Sequence, residues 1–201
     1  MMENKEIIQT HVVTLFADDV MLRPMSDKDF DILLNWNSDA EVLYFCEGDD
    51  VESYSLEDIQ GMYSYVSKMA FCFIIEYRGV PIGECWLQKM NLDHIMEKHP
   101  DLDLRRIDIM IGEKNIWGKG IGTKVIKRLV EFGFVDEKAD MIFYMPGDYN
   151  TRSIRAAEKA GFILIEKIRN ENCKKGEYDY IMAIKKEDYY TNDPMEGANE
   201  I

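Results

Sequence analysis

No apolar run in this 201-residue chain approaches the ~20 residues that a helix needs to cross a bilayer, so a membrane-spanning part is not expected. Basic residues are scarce as well. With 24 Lys+Arg against 38 Asp+Glu the formal charge is −14, which repels phosphate backbones and anionic lipid. That argues against nucleic acid or a membrane surface as partner and favours a cationic small molecule or a basic peptide. The four cysteines, Cys46, Cys72, Cys85 and Cys173, form no CxxC pair and no metal-ligand spacing, and the three histidines, His11, His94 and His99, are scattered. Neither a disulfide framework nor a metal centre is expected. The segment MMENKEIIQTHVV lacks the basic region and apolar stretch of a secretory signal, so a cytoplasmic protein with reduced thiols is expected. No linker, repeat or low-complexity block interrupts the chain. One domain over residues 1–190 with a polar tail at 191–201 is the simplest reading.

What is present is material for a core, 46% hydrophobic and 11% aromatic residues. His11–Phe16 reads as a strand that resumes at Val20–Arg23 and stops at Pro24. Ser26 caps a helix through Trp36, Ala40–Phe45 forms a second, and Ser55 caps a third on which Leu56, Ile59, Met62, Tyr63 and Val66 recur at helical spacing. Phe71–Tyr77 and Val80–Met90 make a hairpin around Arg78-Gly79. Asn91–Asp103 is a polar, acidic connection to a strand at Leu104–Ile111, and Thr123–Phe134 is an amphipathic helix. Met141–Met145 is a short buried strand, Asn150 caps a helix stopped by Gly161, and Phe162–Arg169 and Tyr178–Ile184 close the domain. This order specifies a mixed α/β (α+β) domain around a central, mostly antiparallel sheet of about seven strands.

The stretch IDIMIGEKNIWGKGIGTKVI, residues 107–126, carries the chemistry. A strand runs into a turn in which Gly118, Gly120 and Gly122 free successive backbone N–H groups at the start of a helix, an arrangement suited to a pyrophosphate. Lys119 and Lys124 are positioned in sequence to add charge. The order Gly122-Thr123-Lys124 does not match a Walker A loop, and the position after several antiparallel strands does not match a dinucleotide fingerprint. Asp108 is notable as a carboxylate in an apolar strand, where an unpaired charge is costly. It is either a functional carboxylate or half of an ion pair with Arg105 or Arg106.

Trp117-Gly118-Lys119-Gly120-Ile121-Gly122 resembles the [QR]-x-x-G-x-[GA] coenzyme loop of the GNAT (Gcn5-related N-acetyltransferase) superfamily. Asn150, Ser153, Ile154, Glu158, Lys159, Gly161 and Phe162 resemble its later helix motif, N-x-x-[AS]-I-x-x-Y-E-K-x-G-F. Within the superfamily, LRPMSDKDFDILLNW, YSLEDI, IIEYRGVPIGE and RIDIMIGEKNIWGKGIGTK look like the aminoglycoside 6′-N-acetyltransferases over about residues 20–185. The resemblance implies helices on both faces of the sheet and direct transfer of acetyl from acetyl-coenzyme A to a cationic amine, in a monomer or homodimer. Acetylation of another primary amine, or coenzyme binding without turnover, are the rival readings.

By this resemblance the cofactor contacts are Ile109, Met110 and Ile111 on the strand, the loop residues Trp117, Gly118, Lys119, Gly120, Ile121, Gly122 and Thr123, and Asn150. Asp108 matches the catalytic Asp of the family's [GR]-[IM]-D-x-x-I-G segment. Carboxylates suit a polyamine sugar, which makes Glu47, Asp49, Asp50, Asp101, Asp103 and Asp108 candidate substrate contacts, with Trp36, Tyr44 and Phe45 as flat faces for sugar rings. The chain departs from the pattern in three places. Trp117 replaces Gln or Arg, Met145-Pro146 stands in place of Asp-Pro, and Ala157 occupies the position of the Tyr that usually protonates the leaving thiolate. Either the thiolate leaves unaided or another phenol, Tyr144 or Tyr149, substitutes.

Overall fold

The computed structural model describes residues 7–47, 51, 53–171 and 173–192. Leu15–Ala17 (β1) and Val20–Pro24 (β2) form a tight hairpin, where the sequence suggests one interrupted strand beginning at His11. His11 is instead folded inward, its ring edge-on to Phe71 and Phe73 and its Nε2 2.9 Å from the Cys72 carbonyl. A single 3₁₀ turn follows Ser26 and leads into Phe30–Trp36 (α1), then Ala40–Cys46 (α2) and Leu56–Val66 (α3). The starts of α2 and α3 are capped by short polar side chains. The Asp39 carboxylate accepts the Glu41 and Val42 amides, and Ser55 and Asp58 bond reciprocally to each other's backbone N–H.

Ala70–Tyr77 (β3) and Val80–Lys89 (β4) make the expected hairpin. The acidic connection contains a short helix, Asp93–Met96 (α4), before Leu104–Ile111 (β5). Ile121–Val135 (α5), Met141–Tyr144 (β6), Thr151–Lys159 (α6), Ile163–Arg169 (β7) and Tyr178–Lys185 (β8) follow in the expected order. A last helix, Lys186–Asn192 (α7), was not legible in the sequence; its Tyr189 ring packs against Phe134. The sheet has eight strands in the order β1-β2-β3-β4-β5-β6-β8-β7, every neighbouring pair antiparallel except β5–β6. The count exceeds seven because Asp18 turns the chain with a φ of 54°, splitting the first strand in two.

Strand alternation divides the core. Phe73, Ile75, Cys85, Leu87 and Ile107 face α5, where Val125, Ile126, Leu129 and Val130 supply its apolar stripe. Cys72, Ile74 and Met110 face the other way, against Leu33, Trp36, Val42, Ile59 and Tyr63 of α1–α3. Each fully buried aliphatic side chain contributes about 1.5–3 kcal/mol relative to exposure. No helix among the described residues is long and apolar enough to cross a membrane.

Candidate active site

The parallel pair β5–β6 opens into a fork. It is in register from Leu104↔Met141 to Ile107↔Tyr144; beyond that β5 continues to Ile111 while β6 ends and Pro146 carries the chain away. The edge of β5 from Asp108 to Ile111 therefore has no strand beside it on that side, although β4 still pairs with its other edge. A cleft of about 330 Å³ occupies the opening. Ile109 and Ile111 form one wall, the glycine turn and the start of α5 a second, and Tyr144, Asn150, Arg152 and Ser153 a third.

The turn is shaped for a ligand. Gly118 and Gly120 have φ of 78° and 80°, backbone states that favour glycine, and a Cβ added at Gly118, Gly120 or Gly122 would meet nothing within 4 Å. Protein packing thus does not explain the glycines, whereas close approach of a ligand to the amides at the N-terminus of α5 does. Trp117 pins the turn to the strand by donating from Nε1 to the Ile111 carbonyl at 2.7 Å. The Arg152 guanidinium lies 4.2 Å from the centroids of both Trp117 and Phe45, a stack that joins α6, the turn and α2.

Of the expected coenzyme contacts, Ile109, Ile111, Trp117, Gly118, Gly120, Ile121, Gly122, Thr123 and Asn150 line this cleft. Met110 does not; strand alternation turns its side chain into the α1–α3 cluster. Lys119 is exposed on the turn outside the lining. Lys124, expected to add charge at the phosphates, instead reaches Asp18 and Asp19 of the β1–β2 turn at 3.1 and 2.9 Å. The cations that do line the cleft are Arg152, Arg155 and Lys159, on successive turns of α6. Asn150 serves as the α6 cap, accepting the Ser153 amide, and its carboxamide nitrogen donates to the Phe45 carbonyl.

Asp108 sits at the head of the fork with its carboxylate about one-third exposed. One oxygen accepts from Trp86 Nε1 at 2.9 Å and Arg106 Nε at 2.8 Å, the other from Arg106 Nη2 at 2.7 Å. It is therefore half of an ion pair, one of the two alternatives open from the sequence, and strand alternation turns its side chain to the α1–α3 face, away from the Ile109 and Ile111 wall of the cleft. Glu47, at the end of α2, has its carboxyl raised above the ordinary range by burial, countered by a Tyr54 hydrogen bond and reinforced by the Asp108 charge. Its carbonyl accepts from the Tyr149 hydroxyl and Lys175. Tyr44 is exposed, edge-on to Phe45 and Tyr149, with the Lys175 ammonium 4.6 Å above its ring.

The other proposed substrate contacts fall elsewhere. Trp36 is 1% exposed, its indole donating to Glu113 and packed so tightly on Gly112 that an added Cβ there would lie 2.2 Å from the ring. It is a core residue with no face for a sugar. Phe45 belongs to the coenzyme side of the cleft, stacked under Arg152. Asp101 is exposed in the turn before β5, and Asp103 bonds Arg105 at the opposite end of that strand, roughly 16 Å from Asp108 at ~3.3 Å per residue. Asp49 and Asp50 lie outside the described residues.

Ala157 is fully buried and leaves no hydroxyl at the usual acid position. Tyr144 does reach the cleft, 2.7 Å from the Ser153 hydroxyl, while Tyr149 points to the Glu47 carbonyl. The sequence reading missed Arg152 and the buried carboxyl of Glu84 on β4, which faces the α1–α3 side beside Asp108. Arg152 was hidden at an unassigned position of the helix motif. Glu84 carried one available signal, an acid inside an apolar strand.

A β5–β6 fork with a glycine turn at the head of α5 defines an acetyltransferase, and the chain belongs to that family: the family described as "Acetyltransferase (GNAT) domain" matches residues 19–163. The aminoglycoside N(6′)-acetyltransferase type 1 of Klebsiella pneumoniae is 31% identical over 161 residues, spanning 78% of this chain and 80% of the relative. The solved structure of AAC(6′)-Ib with ribostamycin and coenzyme A superimposes with a TM-score of 0.75 at 25% identity, covering 91% of this chain and 100% of that one. A spermidine N-acetyltransferase from Vibrio cholerae, solved with coenzyme A and spermine, shares the fold at a TM-score of 0.69 and 18% identity, over 85% of this chain and 98% of its own. Acetyl-coenzyme A is the donor that this domain uses, and the open glycine turn and the cationic face of α6 fit its phosphates.

Proposed function

We propose that the protein acetylates the 6′-amine of aminoglycosides. The observation that carries this reading is a side-chain carboxylate, Asp108, at the head of the fork and next in the strand to the cleft-lining Ile109, in a chain 31% identical to an aminoglycoside N(6′)-acetyltransferase. Acetyl-coenzyme A supplies the acetyl thioester. Asp108 holds the substrate ammonium and accepts its proton, so that the neutral amine becomes the nucleophile. The unpaired edge of β5 offers backbone N–H groups to the developing oxyanion. Tyr144, the phenol that lines the cleft, takes the role that Ala157 leaves vacant, donating a proton to the departing sulfur. Tyr44 and Glu47 flank the entrance for the sugar.

The acidic charge of −14 supports a cationic substrate and disfavours a nucleic-acid partner; the reading takes the protein as a single domain over residues 1–190, a monomer or homodimer, in the cytoplasm. Thiol release is measured with purified protein, acetyl-coenzyme A and aminoglycosides with and without a 6′-amine. Turnover of kanamycin and tobramycin, and none of analogues lacking that amine, is expected. Absence of turnover with every 6′-amino compound would sink the assignment.

A further inference from the structure

Glu84 is an acidic side chain buried at the centre of the sheet. It lies on β4 opposite Ile74 of β3 and Met110 of β5, is 4% exposed, and faces α1–α3. Its neighbour two residues on, Trp86, is the donor to Asp108, and Trp86 stands directly opposite Asp108 in the β4–β5 register. Glu84 and Asp108 are thus a diagonal cross-strand pair on one face, roughly 7–8 Å apart. Glu84 Oε2 is buried without a hydrogen-bond partner, and so is the Tyr63 hydroxyl that faces it from α3. No Lys or Arg among the described residues forms an ion pair with it.

The groups whose charge bears on Glu84 among the described residues are acidic or neutral polar ones, with Arg106 on β5 held by Asp108. Asp108 faces it from β5, Glu47 and Cys46 from the end of α2, Cys72 from β3, and Tyr63 from α3, next to Asn37 at the end of α1; Cys85 adjoins it on β4. Burial, then the Asp108 charge, hold its carboxyl well above the ordinary range. Burial with no cationic partner among the described residues favours the protonated form of Glu84.

Asp108, by contrast, has little left to give. It accepts three N–H bonds, out of about four acceptor positions on a carboxylate. Arg106 also compensates its charge. A cation arriving there meets a neutral pair, so full attraction needs a second negative charge close by. We propose that Glu84 is a positioning residue of the amine site that acts through Asp108, giving up its proton to solvent when a cationic amine docks. The enzyme loses one positive charge as the amine brings one, and the site regains the net negative charge that Arg106 had cancelled. The proposal rests on Asp108 being the amine-binding carboxylate.

The first test needs no substrate. The ligand-free full chain is labelled with carbon-13 at its glutamate carboxyls and titrated by NMR, Glu84 being assigned by the resonance lost in Glu84→Gln or, should that variant not fold, shifted in Glu84→Asp. Glu84 is expected to titrate above the other glutamates, and Asp108→Asn to lower its midpoint by removing the facing charge. A Glu84 that titrates with the rest, or that Asp108→Asn leaves unmoved, overturns the proposal. In the second test, kanamycin is titrated calorimetrically into the coenzyme A complex in phosphate and in Tris. Wild type is expected to release about one more proton per bound amine than Glu84→Gln, since the amine's own titration is common to both. Equal counts would overturn the idea; infrared loss of a protonated carboxyl on kanamycin binding replaces this comparison if the variant does not fold. Failure of every aminoglycoside to bind or be acetylated would instead remove the substrate assignment, and the first titration still decides whether Asp108 and Glu84 are coupled.

Discussion

On the α5 side of the sheet the buried cluster is apolar from Leu15 to Ile184, with Arg105 held at its rim by Asp103 and Glu137. On the α1–α3 side the same strands bury Glu84, and the helices over them bury Asp29, Asn37 and the Tyr63 hydroxyl. The two faces meet at the fork between β5 and β6, and each brings a different kind of recognition to it. The α5 face presents backbone: three glycines, a helix N-terminus and a strand edge without a partner. The other face presents side chains, the Asp108 carboxylate and, diagonal to it, the buried Glu84. A backbone site tolerates changes in most side chains and fails when the chain path changes. A side-chain site fails when one group is removed.

The largest expected effect tests that contrast directly. Asp108→Ala is expected to lower kcat/KM for the amine by at least about 100-fold, the usual scale of a lost proton acceptor, with little change in KM for acetyl-coenzyme A. An equal rise in both KM values, read from steady-state thiol release, would show that the two halves of the site are not separable. Next is Gly120→Val. A β-branched residue at a φ of 80° is strained by ~1–2 kcal/mol, which is expected to raise the acetyl-coenzyme A KM about tenfold while sparing the fold. Gly112→Ala should do the opposite. Its Cβ would strike the Trp36 ring, so unfolding free energy is expected to fall by about 1–3 kcal/mol while the surviving enzyme keeps its KM values.

A smaller effect concerns pH and the α5 face. Burial holds the His11 imidazole below its ordinary 6.5, so near that pH the folded chain binds fewer protons than the unfolded chain. The contribution of neutral His11 is therefore complete above pH 6.5 and is lost as pH falls below it. Thermal unfolding from pH 7.5 down to 5 should show a decline that His11→Gln reduces; parallel curves would remove His11 as its source. Smallest is Lys124→Ala. Because that ammonium is engaged by Asp18 and Asp19 at the surface, the acetyl-coenzyme A KM is expected to change by less than about twofold. A larger change would return Lys124 to the phosphate site.

Much of the coenzyme side was legible in the sequence because it depends on local chain chemistry. Glycines between a strand and a helix, a capping Asn150 and a stop at Gly161 describe backbone paths within a few residues of themselves. The same locality recovered the β3–β4 hairpin and the α3 capping box. Locality also misled. Trp36 reads as an aromatic near acidic residues, and only the approach of Gly112 from 76 positions away shows that its ring is enclosed. Lys124 reads as a phosphate ligand until the β1–β2 turn is folded beside it, and Asp103 reads as a neighbour of Asp108 until extension of β5 separates them.

By itself, then, the sequence determined the family, the glycine turn, the order of nearly all the strands and helices, and Asp108 as the carboxylate to examine. It did so because those features are written in residues adjacent along the chain. Only the tertiary structure decided which cations face the cleft, that Trp36 is core, that Tyr144 and not Tyr149 lines the cleft, and that Glu84 lies diagonally behind Asp108. Those outcomes depend on strand register and on which face each side chain takes, and register is set by the packing of distant segments against one another.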